Sequence, residues 1–378
     1  MYKCLFVLFF LMTSLSAQQP KIEELDPNMT LEKADSKGIA WFDPKKKPFR
    51  LVGFKWIQKD GVYRRLPVKP DWEIRKPVNH LANNTAGGQV HFQTDSPKVL
   101  IRVELAYASG MYHMPPTGQS GFDLYMGEPG KQKYVSTSRF GAKAVKYEVQ
   151  LFGGSKQLRS FTLNFPLYNG VKKLEIGIVA GASIKAPKPF KEDGTVVVYG
   201  TSITQGGCAA RAGMAYPNIL SRKLNMEFTN LGFSGNGKGE PALANLINQI
   251  ENKKMLILDY EANVYNDIKR TLGPFIDIIR EKNPTMPILV ISKIRYAREI
   301  NEEKQMAALI ERAKFQKDLV AKKKAAGDKN IYFLDGGTLL GEDAHECTVD
   351  GVHPTDLGFL KMAQGIEPVL RKILNLEK

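Results

Sequence analysis

Val196-Val-Val-Tyr199 runs without a polar interruption into Gly200, and then into Thr201-Ser202-Ile203-Thr204-Gln205-Gly206. A short β-branched and aromatic run of this kind reads as a buried strand, and the glycine with its hydroxyl-rich successors reads as a tight bend. The bend presents Ser202 at the end of a strand. A nucleophilic serine needs a base for its proton, a group that orients the base, and donors for the oxyanion, so this stretch constrains what the remaining chain must supply. Asp350-Gly-Val-His353-Pro354, near the other end, offers a carboxylate and an imidazole three residues apart. The order along the chain is Ser, Asp, His.

α/β-Hydrolases share that order, but their Gly-x-Ser-x-Gly signature is missing, since Thr204 holds the fifth position. Two further stretches point elsewhere, Asn230-Leu-Gly-Phe-Ser-Gly235-Asn236 and Asp259-Tyr-Glu261-Ala-Asn263. With them, the C-terminal half resembles the SGNH (GDSL-type) hydrolases, which are serine esterases on a flavodoxin-like sheet. The resemblance covers about residues 194 to 378. It implies that Ser202 is the nucleophile, His353 its base and Asp350 the partner of the base. It also implies an oxyanion hole made by the backbone N–H groups of Ser202 and Gly235 and the side-chain amide of Asn263. Two departures stand out: Thr201 replaces the more usual Asp before the serine, and Glu261-Ala-Asn263-Val264 replaces Gly-x-Asn-Asp. No metal or organic cofactor is required by this chemistry.

Residues 1–17 read as a secretory signal, with Lys3 as the positive start, Leu5 to Met12 as the apolar core and Ser14 to Ala17 as a small-residue exit. The segment is short for a membrane span, although an uncleaved anchor is the alternative. Lys3 is its sole charged residue, so cleavage takes the net charge from +15 to +14. The basic residues are spread over both halves, and the dense run Lys322-Lys-Lys324 falls in an expected helix among acidic neighbours. A solvated helix face explains it, and no nucleic-acid partner or stable membrane insertion is expected. The expected location is periplasmic, cell-surface or secreted.

Cleavage also leaves Cys208 and Cys347 as the remaining cysteines, six residues after Ser202 and six before His353. Because catalytic residues converge in space, a Cys208–Cys347 disulfide tying the two loops is expected. Closing so long a loop stabilises by roughly 4–5 kcal/mol in the chain-entropy account. Two free buried thiols are the alternative.

A chain of 378 residues favours two domains. From about 30 to 185 the pattern is all-β. Gln89–Thr94 and Val99–Leu105 alternate apolar residues around the turn Asp95-Ser-Pro97, and β-like runs follow at 147–152, 161–165 and 171–179. A small sandwich or jelly roll is expected. Ala186-Pro-Lys-Pro-Phe-Lys-Glu-Asp-Gly194 reads as a stiff linker. From 195 to 378 strands and helices alternate, as a doubly wound parallel sheet demands. Helical periodicity marks 241–253, 267–281, 299–326 and 355–374, and strands are expected at 255–258, 287–291 and 331–334. Ligands bind at the carboxyl ends of such strands, and Ser202, Gly235 and Asn263 each follow one.

The loop Tyr112-His113-Met114-Pro115-Pro116 in the β region is either a cover for the cleft or a packed surface loop. His80, His91 and His113 show no ligand spacing and are read as structural or exposed rather than as a metal site. A secreted serine esterase is expected, with an O-acetylesterase acting on a carbohydrate as the first reading. A lipase or thioesterase with the same site, or an inactive glycan-binding protein, are the other readings.

Overall fold

The computed structural model describes residues 34–376, so the expected signal segment lies outside the described residues. Alternation of apolar and polar positions builds two antiparallel sheets from the first half. One orders Ile39–Phe42, Val171–Val179, Lys98–Leu105 and Lys146–Gly153. The other orders Ile184–Lys185, Gln89–Thr94, Arg159–Asn164, Asp123–Met126 and Lys133–Thr137, with Arg50–Val52 also pairing to Gln89–Thr94. Inward residues of both sheets, among them Phe92, Ile101, Phe161, Leu163 and Ile176, share one core. The turn at Asp95-Ser-Pro97 carries the chain from one sheet to the other. Its Ser96 hydroxyl accepts from the amides of Lys98 and Val179, and the Asp95 carboxylate accepts from Ser183. The strands at 39–42, 50–52, 123–126, 133–137 and 184–185 escape the sequence pattern, being short and in several cases carrying polar residues on both faces.

The second half is a parallel sheet in the order Glu227–Gly232, Thr195–Gly200, Lys253–Asp259, Ile288–Ile291, Ile331–Leu334. By strand number within this half the order is 2-1-3-4-5, the flavodoxin-like arrangement. Thr195–Gly200 is an inner strand, paired on both sides and wholly buried, as its apolar run requires. Helices cover both faces. Pro241–Asn248 and Ile268–Lys282 pack on one side through Leu243, Leu246, Leu272, Phe275 and Ile276. Tyr216–Leu224 and Asp356–Leu374 pack on the other through Ile219, Leu220, Phe359 and Ile366. The long helical segment expected at 299–326 is broken at Glu302, whose φ of −130° and ψ of 113° are extended, giving Ala297–Asn301 and Glu303–Ala325.

The core between the two antiparallel sheets is the sandwich's own, but the segment before Gln89 joins a core of the parallel sheet. Leu66, Ile74, Val78 and Ala82, which precede the strand at Gln89, pack with Leu231, Phe233 and Leu246 of the second half. Arg65 is fully buried there and donates to the carbonyl oxygens of Leu81, Asn84, Asn230 and Gly232. A buried guanidinium is tolerated when its donors are met, and its removal strands the acceptors. Replacing Arg65 by Leu is therefore expected to destabilise the protein by about 3 kcal/mol or more, read as a lowered denaturant midpoint. A change below about 1 kcal/mol would show that water meets those carbonyls.

Candidate active site

Thr201 follows the strand Thr195–Gly200 and caps the short helix Ser202–Gln205, its hydroxyl accepting from the Ile203 amide. Gly206, at φ 106°, ends that helix in a conformation that suits glycine. Ser202 thus stands at the first turn of a helix on a strand end. The helix is seated on the sheet by Asn230, whose amide donates to the Thr204 carbonyl at 2.7 Å. Thr204, at the position where α/β-hydrolases have glycine, turns inward instead and donates to Asp259 Oδ2 at 3.0 Å.

His353 and Asp350 meet Ser202 from the loop before the helix Asp356–Leu374. The Ser202 hydroxyl and His353 Nε2 are 2.9 Å apart, and His353 Nδ1 lies 2.8 Å from Asp350 Oδ2. The other carboxylate oxygen accepts from the amides of His353 and Val352 at 2.8 and 3.0 Å. Burial pushes the Asp350 carboxyl up, but the His353 amide and ring together pull it below its ordinary value, so it stays ionised beside the ring. Gly235 has a φ of 66°, a glycine conformation, and no atom lies within 4 Å of where a Cβ would stand, so its face is open. Its amide has no acceptor among the described residues. Asn263 accepts from the Gly237 amide through Oδ1 at 3.1 Å, which leaves its Nδ2 hydrogens as free donors.

Glu261 is not a loose loop carboxylate. It is buried and accepts from the Lys293 amide, Arg312 Nε and Gln316 Nε2 at 2.7, 2.8 and 2.8 Å. The expected disulfide is absent: Cys208 and Cys347 are free buried thiols. The two thiols part because one stays with the relay and the other does not. Cys208 packs beside Tyr168 and the relay, whereas Cys347 lies where the turn Glu342–Glu346 meets the final helix, its carbonyl accepting from the Thr355 amide.

Known proteins share this fold. Residues 193–371 match the GDSL-like lipase/acylhydrolase family, and residues 39–184 match the N-terminus of SGNH-hydrolase-type esterases. A solved structure from Bacteroides ovatus, described as a GDSL-like lipase, is 32% identical and aligns over 90% of this chain and 99% of its own with a TM-score of 0.82. The chain belongs to the GDSL-like lipase/acylhydrolase family. A salicylyl-acyltransferase of a tetracycline biosynthetic pathway shares the fold at 20% identity, TM-score 0.72, over 91% of this chain and 100% of its own. So does a family two carbohydrate esterase from Cellvibrio japonicus at 13% identity, TM-score 0.56, over 89% and 98%. No curated protein sequence matches the chain.

In this GDSL-like hydrolase the sandwich reaches the relay itself. Sequence groups His113 with His80 and His91, yet its ring lies 5.4 Å from that of His353, edge to face, and its Nε2 is 3.9 Å from Asp350 Oδ2. Tyr112 stacks on His113 at 4.4 Å and is 90% exposed. Their loop is tied down by Gln119, whose side-chain oxygen accepts from Gly110 and Met111, so it is a packed loop that also borders the site. His91, by contrast, is buried between Gln89 and Thr162, and burial holds it far below the usual imidazole range, at about 3.

Contacts of three residues, missed by sequence reasoning, join the sandwich to the helix Ser202–Gln205 and to the segment that follows it. Tyr168 donates to the Ser202 carbonyl at 3.2 Å. Gln205 donates to Leu167 and accepts from the Ser234 amide, so one side chain links the sandwich to the loop bearing Gly235. Asp123, in Gly121-Phe-Asp123-Leu-Tyr125, accepts from Arg211, the Gly213 amide and Asn164. That pentapeptide spells the GxDLY pattern naming the N-terminal family, and it was the available sequence signal.

Asp259 lies beneath the nucleophile helix and accepts from Thr204 and Tyr216. Burial raises its carboxyl to about 7, against the lowering effect of those two donors. Between the ordinary carboxyl value and about 7 the folded state therefore holds a proton that the unfolded chain has lost, and stability falls as pH rises through that window. An asparagine in its place would keep an acceptor for both hydroxyls and never ionise. Wild type should accordingly lose several degrees of Tm relative to Asp259→Asn between pH 5 and pH 8. Parallel Tm curves would show that Asp259 ionises at its ordinary value.

Proposed function

We propose that this protein is an exported carbohydrate O-acetylesterase that works through an acyl-enzyme on Ser202. The observation that carries the ester chemistry is the unbroken run of hydrogen bonds from Ser202 through His353 to Asp350. His353 takes the hydroxyl proton as Ser202 attacks the ester carbonyl, and the ionised Asp350 favours the resulting imidazolium and fixes its orientation. His353 then returns the proton to the departing sugar hydroxyl. Water, activated by the same ring, releases acetate from the acyl-enzyme. The oxyanion formed in each step is met by the amides of Ser202 and Gly235 and by Asn263, donors fixed before the reaction and needing no reorganisation.

The sugar part of the reading is supported by Tyr112. A tyrosine 90% exposed, stacked on the His113 that itself meets the base, offers a flat face near the site to an alcohol leaving group. Carbohydrate esterases are among the proteins of like fold, which supports the same class of substrate. Export is supported by the sequence of residues 1–17. Among the described residues no helix is long and apolar enough to cross a membrane.

Release of acetate from acetylated glycans, and of p-nitrophenol from esters of increasing acyl length, tests the reading. Wild type should prefer acetyl, and Ser202→Ala should lose the activity; preference for long chains would replace the reading with lipase or thioesterase. Asn263→Ala should lower kcat on p-nitrophenyl acetate about 10²–10³-fold. Tyr112→Ala should raise KM on acetylated glycan severalfold while leaving p-nitrophenyl acetate turnover near wild type. Equal effects on both substrates would remove the sugar-facing role.

A further inference from the structure

Three side chains with metal-binding atoms converge at the edge of the relay, Cys208 and His353 from the parallel-sheet half and His113 from the sandwich. The Cys208 sulfur and one nitrogen of each ring all lie within 4.8 Å of one another. We propose that these residues form a binding site for zinc-class divalent cations, and that occupation of this site switches the esterase off.

The donor set is the first reason. One thiolate with two imidazoles is a ligand combination that suits zinc, whereas magnesium and calcium seek oxygen. Ligand atoms around a tetrahedral zinc with bonds of about 2.0–2.3 Å stand roughly 3.3–3.8 Å apart. The three groups therefore need to close by roughly 1 Å, a movement that side-chain rotation of His113 and Cys208 can supply. A fourth position is left for water or the Ser202 hydroxyl, which already touches His353.

The second reason is what these groups lack. His113 Nδ1 is buried and has no hydrogen-bond partner among the described residues. Native structures rarely leave a ring nitrogen so, and a ligand that the nitrogen meets only when bound is one explanation. Cys208 is a free thiol with no disulfide to make. Asp350 Oδ2, 3.9 Å from His113 Nε2, adds a carboxylate behind the histidine, an arrangement common around bound zinc. Side chains of His113 and His353 are 15% and 20% exposed, so the cluster opens to the cleft through which a cation arrives.

Inhibition follows from where the lone pairs and protons go. Both nitrogens of His353 are in use, Nε2 toward Ser202 and Nδ1 toward Asp350. A cation on Nε2 takes the lone pair that must accept the serine proton; a cation on Nδ1 displaces Asp350 and turns the ring. In either case Ser202 loses its base. Cys208 binds as thiolate, and its proton passes to water.

The inhibition arm of the test rests on the esterase reading, while the spectroscopic arm does not, so the two can fail separately. Hydrolysis of p-nitrophenyl acetate is measured against buffered Zn²⁺. At micromolar Zn²⁺ the wild type should lose at least tenfold in rate, recover on addition of EDTA, and ignore millimolar Mg²⁺. Cys208→Ala should keep its metal-free rate and need at least tenfold more Zn²⁺ for the same loss. Independently, Co²⁺ added to Ser202→Ala should produce a thiolate-to-cobalt charge-transfer band that the double variant with Cys208→Ala lacks. His113→Ala should weaken the cobalt band's affinity likewise. Equal Zn²⁺ sensitivity of wild type and Cys208→Ala, or no cobalt–thiolate band, overturns the proposal. Should Cys208→Ala fold poorly, Cys208→Ser replaces it in both arms.

Discussion

The catalytic geometry depends on how closely one short helix can approach two strand ends. A Cβ at Gly200 would stand 1.9 Å from Thr204 Oγ1, and one at Gly232 would stand 2.3 Å from the Gln205 amide nitrogen. Neither distance is tolerable, and in the second case the obstacle is backbone that has no rotamer to escape into. Because both positions are glycine, the helix Ser202–Gln205 rests directly on the parallel sheet. Gly237 extends the same constraint, since a Cβ there would meet the Gly200 carbonyl at 2.2 Å. Strand end, nucleophile helix and the loop carrying Gly235 are thus stacked with no side chain between them. Distances in the relay follow from that stacking.

Stacking fixes the height of Ser202 but not its surroundings, and here the sandwich enters. Gln205 is the last residue of the nucleophile helix and sends its side chain both to Leu167 and to the Ser234 amide. Asp123 holds Arg211 and Gly213 in the segment after the helix, while Thr117 donates to the Ala210 carbonyl. Arg75, from the segment before the strand Gln89–Thr94, binds Asn236 and Glu240 on the far side of the loop carrying Gly235. The loops at the carboxyl ends of the sheet are therefore clamped by polar contacts from residues far earlier in the chain. The two halves share cores as well, so the sandwich is a wall of the site rather than an appendage.

Much of this was legible in the sequence where local pattern and final environment agree. Val171–Val179 and Ile331–Leu334 have the predicted bounds because a buried strand and an apolar run are the same thing. Ser202, Asp350 and His353 could be read because each sits in a short block with its own turn chemistry, and the structure brings the three together. What failed depended on distance in space. Cys208 and Cys347 each lie six residues from a catalytic group, but one thiol stays with the relay and the other does not. His113 carried no spacing that pointed to His353, since the meeting is made by the packing of one domain on another. Strands such as Lys133–Thr137, which has no buried position, had no alternation to show. The break at Glu302 was invisible for a related reason, because residues on both sides of it favour helix.

The altered block around Asn263 shows how a donor can be held when its usual flanks are absent. Asn263 sits in a short helical turn, Glu261–Val264, that by itself has almost no capacity to hold a side chain still. Glu261 supplies the anchor. Its two oxygens take the Lys293 amide and two side chains from the helix Glu303–Ala325, so the turn is bolted to an element outside its own strand–helix unit. A buried carboxyl group is tolerable there because each of its contacts is a donor, the Arg312 guanidinium at 2.8 Å among them, beside the buried Lys293–Glu299 pair. Burial lowers Lys293 to about 8, against the raising effect of Glu299 at 3.0 Å, so the cluster is held together by partners rather than by solvent. From the other side, the Gly237 amide fixes the carbonyl end of the Asn263 amide. With the turn fastened at its base and the amide at its tip, the free Nδ2 hydrogens are aimed without help from the residues at 262 or 264. Glycine and aspartate around that asparagine are one solution to holding the amide proposed as an oxyanion donor; a buried ion cluster behind it is another.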